Sequence, residues 1–90
     1  MLVARRFLIS GRVQGVGFRF FAEEQARREG LAGYVRNLPD GRVESLVEGD
    51  EEAVARFERA LHRGPRGARI EQVVTEAAAV EDRHGFAVRF

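Results

Sequence analysis

Residues 2–19 read LVARRFLISGRVQGVGFR, and a change of rhythm inside them decides the architecture. Up to Val13 the pattern alternates: Phe7, Ile9 and Val13 lie on one side and Leu8, Ser10 and Arg12 on the other, the period of a strand. Gly11, Gly15 and Gly17 interrupt it. From Phe18 the period becomes helical, with Phe18, Phe21, Ala22, Gln25 and Ala26 on one face and Gly30 placed to end the helix. A strand therefore runs through a glycine-rich loop straight into a helix.

The rest of the chain extends this plan. Gly33 to Leu38 reads as a strand, Pro39, Asp40 and Gly41 as its turn, and Val43 to Glu48 as the hairpin partner. Asp50 is an N-cap, with Glu51 and Glu52 near the positive end of the helix dipole. Val54, Phe57 and Leu61 form the apolar face of that second helix, and Gly64 and Pro65 stop it. Ile70 to Ala78 is a further strand, and Phe86, Val88 and Phe90 alternate in a last short one. The order predicts an α+β, ferredoxin-like α/β sandwich (βαββαβ): one antiparallel sheet with two helices on one face. Residues 1–90 are expected to form a single domain, and no repeat or linker interrupts them.

Composition narrows the function. The chain is 44% hydrophobic and 32% charged, a globular balance. Fifteen basic residues against fourteen acidic ones leave a net charge of +1, which argues against electrostatic capture of nucleic acid or a membrane surface. Cysteine is absent, which removes disulfides, thiolate chemistry and thiolate metal sites. No apolar run reaches membrane-spanning length, and the alternating start does not read as a signal peptide, so a cytoplasmic protein is expected.

Side chains for covalent or acid–base catalysis are scarce. Ser10, Ser45 and Thr75 are isolated hydroxyls on strands. His62 reads as a cation at a helix end and His84 as a solvated turn residue. Glu23, Glu24, Asp50, Glu51 and Glu52 have structural explanations as helix-face partners or caps. No metal site and no cofactor are expected.

Two features remain. In Gln14-Gly15-Val16-Gly17-Phe18-Arg19, glycines let successive N–H groups face one concavity, and the helix behind adds its free amides and dipole. Arg19 in the first turn offers a planar fork of donors for phosphate oxygens. The alternative is a tight turn with a surface arginine. Asn37 sits on a strand, where asparagine is disfavoured. It either supports the adjacent turn or orients a small polar molecule such as water.

GRVQGVGFR at residues 11–19 and GYVRNLPDGRV at residues 33–43, with their spacing, the second helix and the terminal FAVRF, resemble the acylphosphatase family over nearly the whole chain. The resemblance implies hydrolysis of acyl phosphates to carboxylate and orthophosphate. It implies a loop from Gln14 through Gly15, Val16, Gly17 and Phe18 that cradles phosphate. Arg19 becomes the substrate-binding catalytic arginine, and Asn37 the holder of the attacking water. Tyr34 fills the family's aromatic position after Gly33. The expected partners are a small acyl phosphate and inorganic phosphate, as product and inhibitor, with no nucleic acid, no membrane and a monomeric state. RNA-recognition modules share the fold plan but carry their aromatics on central strands, whereas Phe18, Phe20 and Phe21 begin a helix. A third possibility is a regulatory module or a part of a carbamoyl-transfer enzyme; the lack of a linker at either end favours a free-standing enzyme.

Overall fold

In a computed structural model describing residues 1–90, the strand that opens the sequence becomes β1, Leu2–Arg12. It is followed by α1 (Phe18–Arg28), β2 (Ala32–Asn37), β3 (Val43–Asp50), α2 (Glu51–Arg63), β4 (Arg69–Ala78) and β5 (Phe86–Arg89). The sheet order is β4-β1-β3-β2-β5. β1 pairs antiparallel with β3 and β4, and β2 pairs antiparallel with β3.

The sheet is not wholly antiparallel as expected, because β5 lies parallel to β2. The reason is topological. β4 occupies one edge and runs opposite to β1, so the short connection after it reverses direction and delivers β5 to the far edge running with β2. The connection crosses the face of the sheet without helices, and Glu48 of β3 fastens it there. The Glu48 carboxylate accepts from the Glu81 and Arg83 amides at 2.9 and 3.1 Å, and from Arg83 Nη1 at 2.6 Å.

Both helices cover the other face. Phe7, Ile9 and Val13 of the β1 side, Phe18, Ala22 and Ala26 of α1, and Val54, Phe57 and Leu61 of α2 belong to one buried cluster. Phe57 anchors it, with ring centroids 5.9 Å from Phe7 and 6.4 Å from Phe86. Burying each such large side chain stabilises the fold by about 1.5–3 kcal/mol. Between Ser10 and Gly11 the β1–β4 pairing slips by one residue, leaving Glu71 as the extra residue on β4. The slip lets both Ile70 and Val73 pack against the core, three positions apart on one strand.

Asp50 caps α2 as its sequence context predicts, accepting from the Glu52 amide at 3.1 Å. The open face was less predictable. There the buried Glu44 carboxylate is held between Arg36 at 2.5 Å and Arg6 at 2.6 Å, and Arg6 also reaches Glu76 at 2.6 Å. Burial pushes the Glu44 carboxyl up, but the hydrogen bonds from Arg36 and Arg6 outweigh it and hold the group below the usual carboxylate range. No helix is long and apolar enough to cross a membrane.

Candidate active site

The loop between β1 and α1 bends twice through the left-handed region, at Gly15 and Gly17, each with φ of 78°. A side chain there would strain the backbone, although nothing lies within 4 Å to obstruct it, so conformation alone favours glycine. Gly17 is also the N-cap of α1, and no side chain caps that helix. Its first backbone bond runs from the Phe21 amide to the Gly17 carbonyl at 3.0 Å. The amides from Gly15 to Phe20 donate to no acceptor in the chain. Free donors therefore line the turn, at the positive end of the α1 dipole.

Val16 and Phe18 anchor this loop with their side chains. Phe18 is buried and meets Phe21 edge-on with centroids 5.8 Å apart, while Val16 packs against the core. They can offer a ligand only their backbone. Gln14, expected in the cradle, spends its side-chain amide elsewhere. It donates to the Leu38 and Arg42 carbonyls at 2.8 and 3.0 Å, tying the loop to the β2–β3 hairpin. Its side chain is a strut that sets the loop against the strand carrying Asn37.

Asn37 ends β2, paired in register with Val43 on the helix-covered side of the sheet. The turn beside it is held without its help. The Leu38 amide donates to the Arg42 carbonyl at 2.8 Å, and the Asp40 carboxylate accepts from the Arg42 amide and Nε at 3.1 and 2.9 Å. Those contacts hold Asp40 below the usual carboxylate range, the backbone hydrogen bond from Arg42 foremost. With the turn satisfied, turn support no longer explains an asparagine at position 37. Asn37 lines a small cavity of about 140 Å³ together with Gly15, Gly17, Arg19 and Phe20. The loop and the strand end, distant in sequence, meet there.

Arg19 reaches across to β5. Its Nη1 donates to the Arg89 carbonyl at 3.1 Å, and the guanidinium carbon lies 4.5 Å from the centroid of the Phe90 ring. Only one of its five N–H groups is committed, which leaves most of the fork for an anion. Sequence inspection missed this clamp, because nothing before the fold is known places residue 90 beside residue 19.

The remaining candidates lie elsewhere or are occupied. The buried Ser45 hydroxyl donates to the Tyr34 carbonyl at 2.8 Å, and Thr75 donates to Glu58 at 3.2 Å. Glu23 and Glu24 pair with Arg27 and Arg28 one turn on. His62 and His84 are exposed, 3.9 Å from Glu58 and 3.8 Å from Asp82. A larger depression, about 690 Å³, lies against β5 and the β4–β5 connection and includes Tyr34, Leu46, Arg83 and Arg89, but no residue of the glycine loop. Arg89 stacks on Tyr34 there, 3.9 Å from the ring centroid.

Fold and site together define a ferredoxin-like α+β protein with free backbone amides, an arginine and an unbonded asparagine gathered at a strand–helix junction. Comparison with known proteins gives the family. The acylphosphatase family model matches residues 5–88. An acylphosphatase of Pseudomonas paraeruginosa is 54% identical over 81 residues, covering 90% of this chain and 89% of the relative. One from Anaeromyxobacter dehalogenans is 48% identical, over 98% of this chain and 96% of the relative. The crystal structure of acylphosphatase from Bacillus subtilis superposes with a TM-score of 0.95 at 38% identity, each chain covered completely. The chain belongs to the acylphosphatase family and is an enzyme of that hydrolase class.

Proposed function

We propose that this protein hydrolyses a small acyl phosphate by direct attack of water on phosphorus, without a metal or cofactor. The observation that carries the reading is the convergence of free amides, the Arg19 fork and the unbonded Asn37 amide on one small cavity.

An acyl phosphate is a mixed anhydride whose leaving group is a stable carboxylate, so it needs little general-acid help. The protein has to hold the phosphoryl group, offset its charge and align water. The amides of the Gly15–Phe18 segment and the α1 N-terminus supply oriented donors without reorganisation, and Arg19 adds a full charge. Gln14 keeps the loop and the hairpin in register. Asn37 accepts from or donates to the water that attacks in line. The new bond joins the water oxygen to phosphorus as the phosphorus–acyl oxygen bond breaks. The bond pair leaves with the carboxylate, and a phosphoryl oxygen takes the water proton, so a dianionic acyl phosphate and water give a carboxylate and dihydrogen phosphate.

The reading includes a monomeric cytoplasmic enzyme, with orthophosphate as product and competitive inhibitor. An RNA-binding use is less well supported: Phe18 is buried in the core, and the open faces of β1 and β3 carry Arg6, Leu8, Glu44, Leu46 and Glu48 in place of stacking aromatics. The test is release of orthophosphate from acetyl phosphate in metal-free buffer. A rate no faster than the uncatalysed one would remove the proposal.

A further inference from the structure

We propose that the depression against β5, on the open face of the sheet, is a second ligand site that takes an organic carboxylate with a compact apolar body. It contains no residue of the glycine loop and does not depend on the phosphate cradle.

The floor of the depression is one row of the sheet. Leu46 of β3, Tyr34 of β2 and Ala87 of β5 are register partners. They alternate onto the face that carries Glu44 and Glu48, so no helix covers them. The volume of about 690 Å³ falls within the roughly 300–1,000 Å³ of sites that take a whole small molecule.

The charges around this floor leave one cation over. Arg83 lines the depression but is spent, with Nη1 on Glu48 at 2.6 Å and Nη2 on Glu81 at 3.0 Å. Glu81, the one carboxylate in the lining, is offset by the same contact. Arg36, the register partner of Arg89, is spent on Glu44. Arg89 has no carboxylate partner. Its guanidinium carbon lies 3.9 Å from the centroid of the Tyr34 ring, a contact that uses the flat face of the ion and leaves its N–H edges free.

Stacking on Tyr34 holds the fork above the floor before a ligand arrives, so less side-chain freedom is lost on binding. The two oxygens of a carboxylate match that fork. A dianionic phosphate would bring a second charge that Arg89 alone does not offset, beside Glu81. The apolar body of the ligand rests on Leu46, Ala87 and the Tyr34 ring. Charge and apolar surface are both needed, so acetate has too little body and a neutral alcohol lacks the charge.

Tyr34 is the only tyrosine and tryptophan is absent, so tyrosine emission reports on this site alone. The experiment titrates the chain with cyclohexanecarboxylate, which does not absorb where tyrosine is excited, and follows the emission and the amide shifts of a ¹⁵N-labelled sample. Saturable binding at millimolar concentration is expected, with shifts at Tyr34, Leu46, Ala87 and Arg89. Acetate and cyclohexanol should each bind at least about tenfold more weakly, and Arg89→Gln should weaken cyclohexanecarboxylate by about tenfold, the low end for a hydrogen bond to a charged group. Thermal melts check that the variant is folded. Absence of saturable binding, shifts confined to Gly15–Phe18, or undiminished binding in a folded Arg89→Gln would each overturn the site. The comparison of ligands needs no variant: cyclohexanol binding as tightly as the carboxylate would overturn it as well.

Discussion

The Arg19 guanidinium lies 4.5 Å from the centroid of the Phe90 ring, a contact between the first turn of α1 and the residue that follows β5. Together with the bond to the Arg89 carbonyl, it holds a long, flexible side chain in one place before any substrate arrives. A cation over an exposed ring is worth about 0.5–1 kcal/mol. Phe90→Ala should therefore lower kcat/KM for acetyl phosphate by about two- to fivefold. Steady-state kinetics on the folded variant check this, and an unchanged value would show that the ring does not position Arg19.

Arg19→Lys keeps the charge but loses the planar fork that can span two phosphate oxygens. The expected loss of kcat/KM is about 10²–10³-fold, the scale of removing one transition-state donor. Because Arg19 is partly exposed and outside the core, the thermal melt should change little. Near-normal turnover in the lysine variant would remove Arg19 from the assigned role.

Asn37→Ala separates water alignment from anion binding. Turnover should fall on the order of 10²-fold, the usual cost of misplacing a reacting group. Inhibition by orthophosphate should stay within about twofold of the parent value, since the loop amides and Arg19 are untouched. Loss of phosphate inhibition with normal turnover of bound substrate would reverse the assignment.

What could be read beforehand follows the range of each signal. The glycine loop, the helix phases and the Asp50 cap depend on residues within a turn of one another, and all are in the structure where periodicity placed them. The Gln14 strut joins positions 24 and 28 residues apart, and the Arg19 clamp spans 70 residues. Neither has a local signature. Glu44 and Glu48 are the clearest case. Their alternation with Leu46 puts them on one face of β3, but only the pairing with β1 and β2 shows Glu44 buried between Arg6 and Arg36. The parallel placement of β5 was hidden for the same reason, since a four-residue strand says nothing about which edge it joins.

Activity should persist in excess chelator. Arg19 and the free amides supply the positive potential that a magnesium ion gives in nucleotide-phosphate enzymes. Rates of acetyl phosphate hydrolysis are to be compared with and without EDTA at fixed substrate and ionic strength, so that metal bound to free substrate does not confound them. Loss of activity restored by one metal would overturn the mechanism and point to a metal-binding carboxylate site.

Acid should loosen the fold through the carboxylates on the open face, Glu48 above all. The Glu81 amide holds the Glu48 carboxyl below its ordinary value of 4.5, against the opposing effect of desolvation and with help from Arg83. Glu44 is depressed in the same direction. For such groups the unfolded chain takes up the proton first as pH falls, so the unfolded state binds more protons in that window. Their contribution to stability is complete above the ordinary carboxylate range and is lost as pH drops through the lower folded values. Asp40 and Asp50, also depressed, add to the same trend. The melting temperature should therefore fall between neutral pH and about pH 3, most of it below the ordinary carboxylate pKa. Glu48→Gln removes one titrating anchor of the β4–β5 connection. It should melt below the parent at neutral pH and show a smaller drop on acidification. If the variant kept the whole of the parent's acid-dependent drop, Glu48 would not be the group through which acid releases that connection.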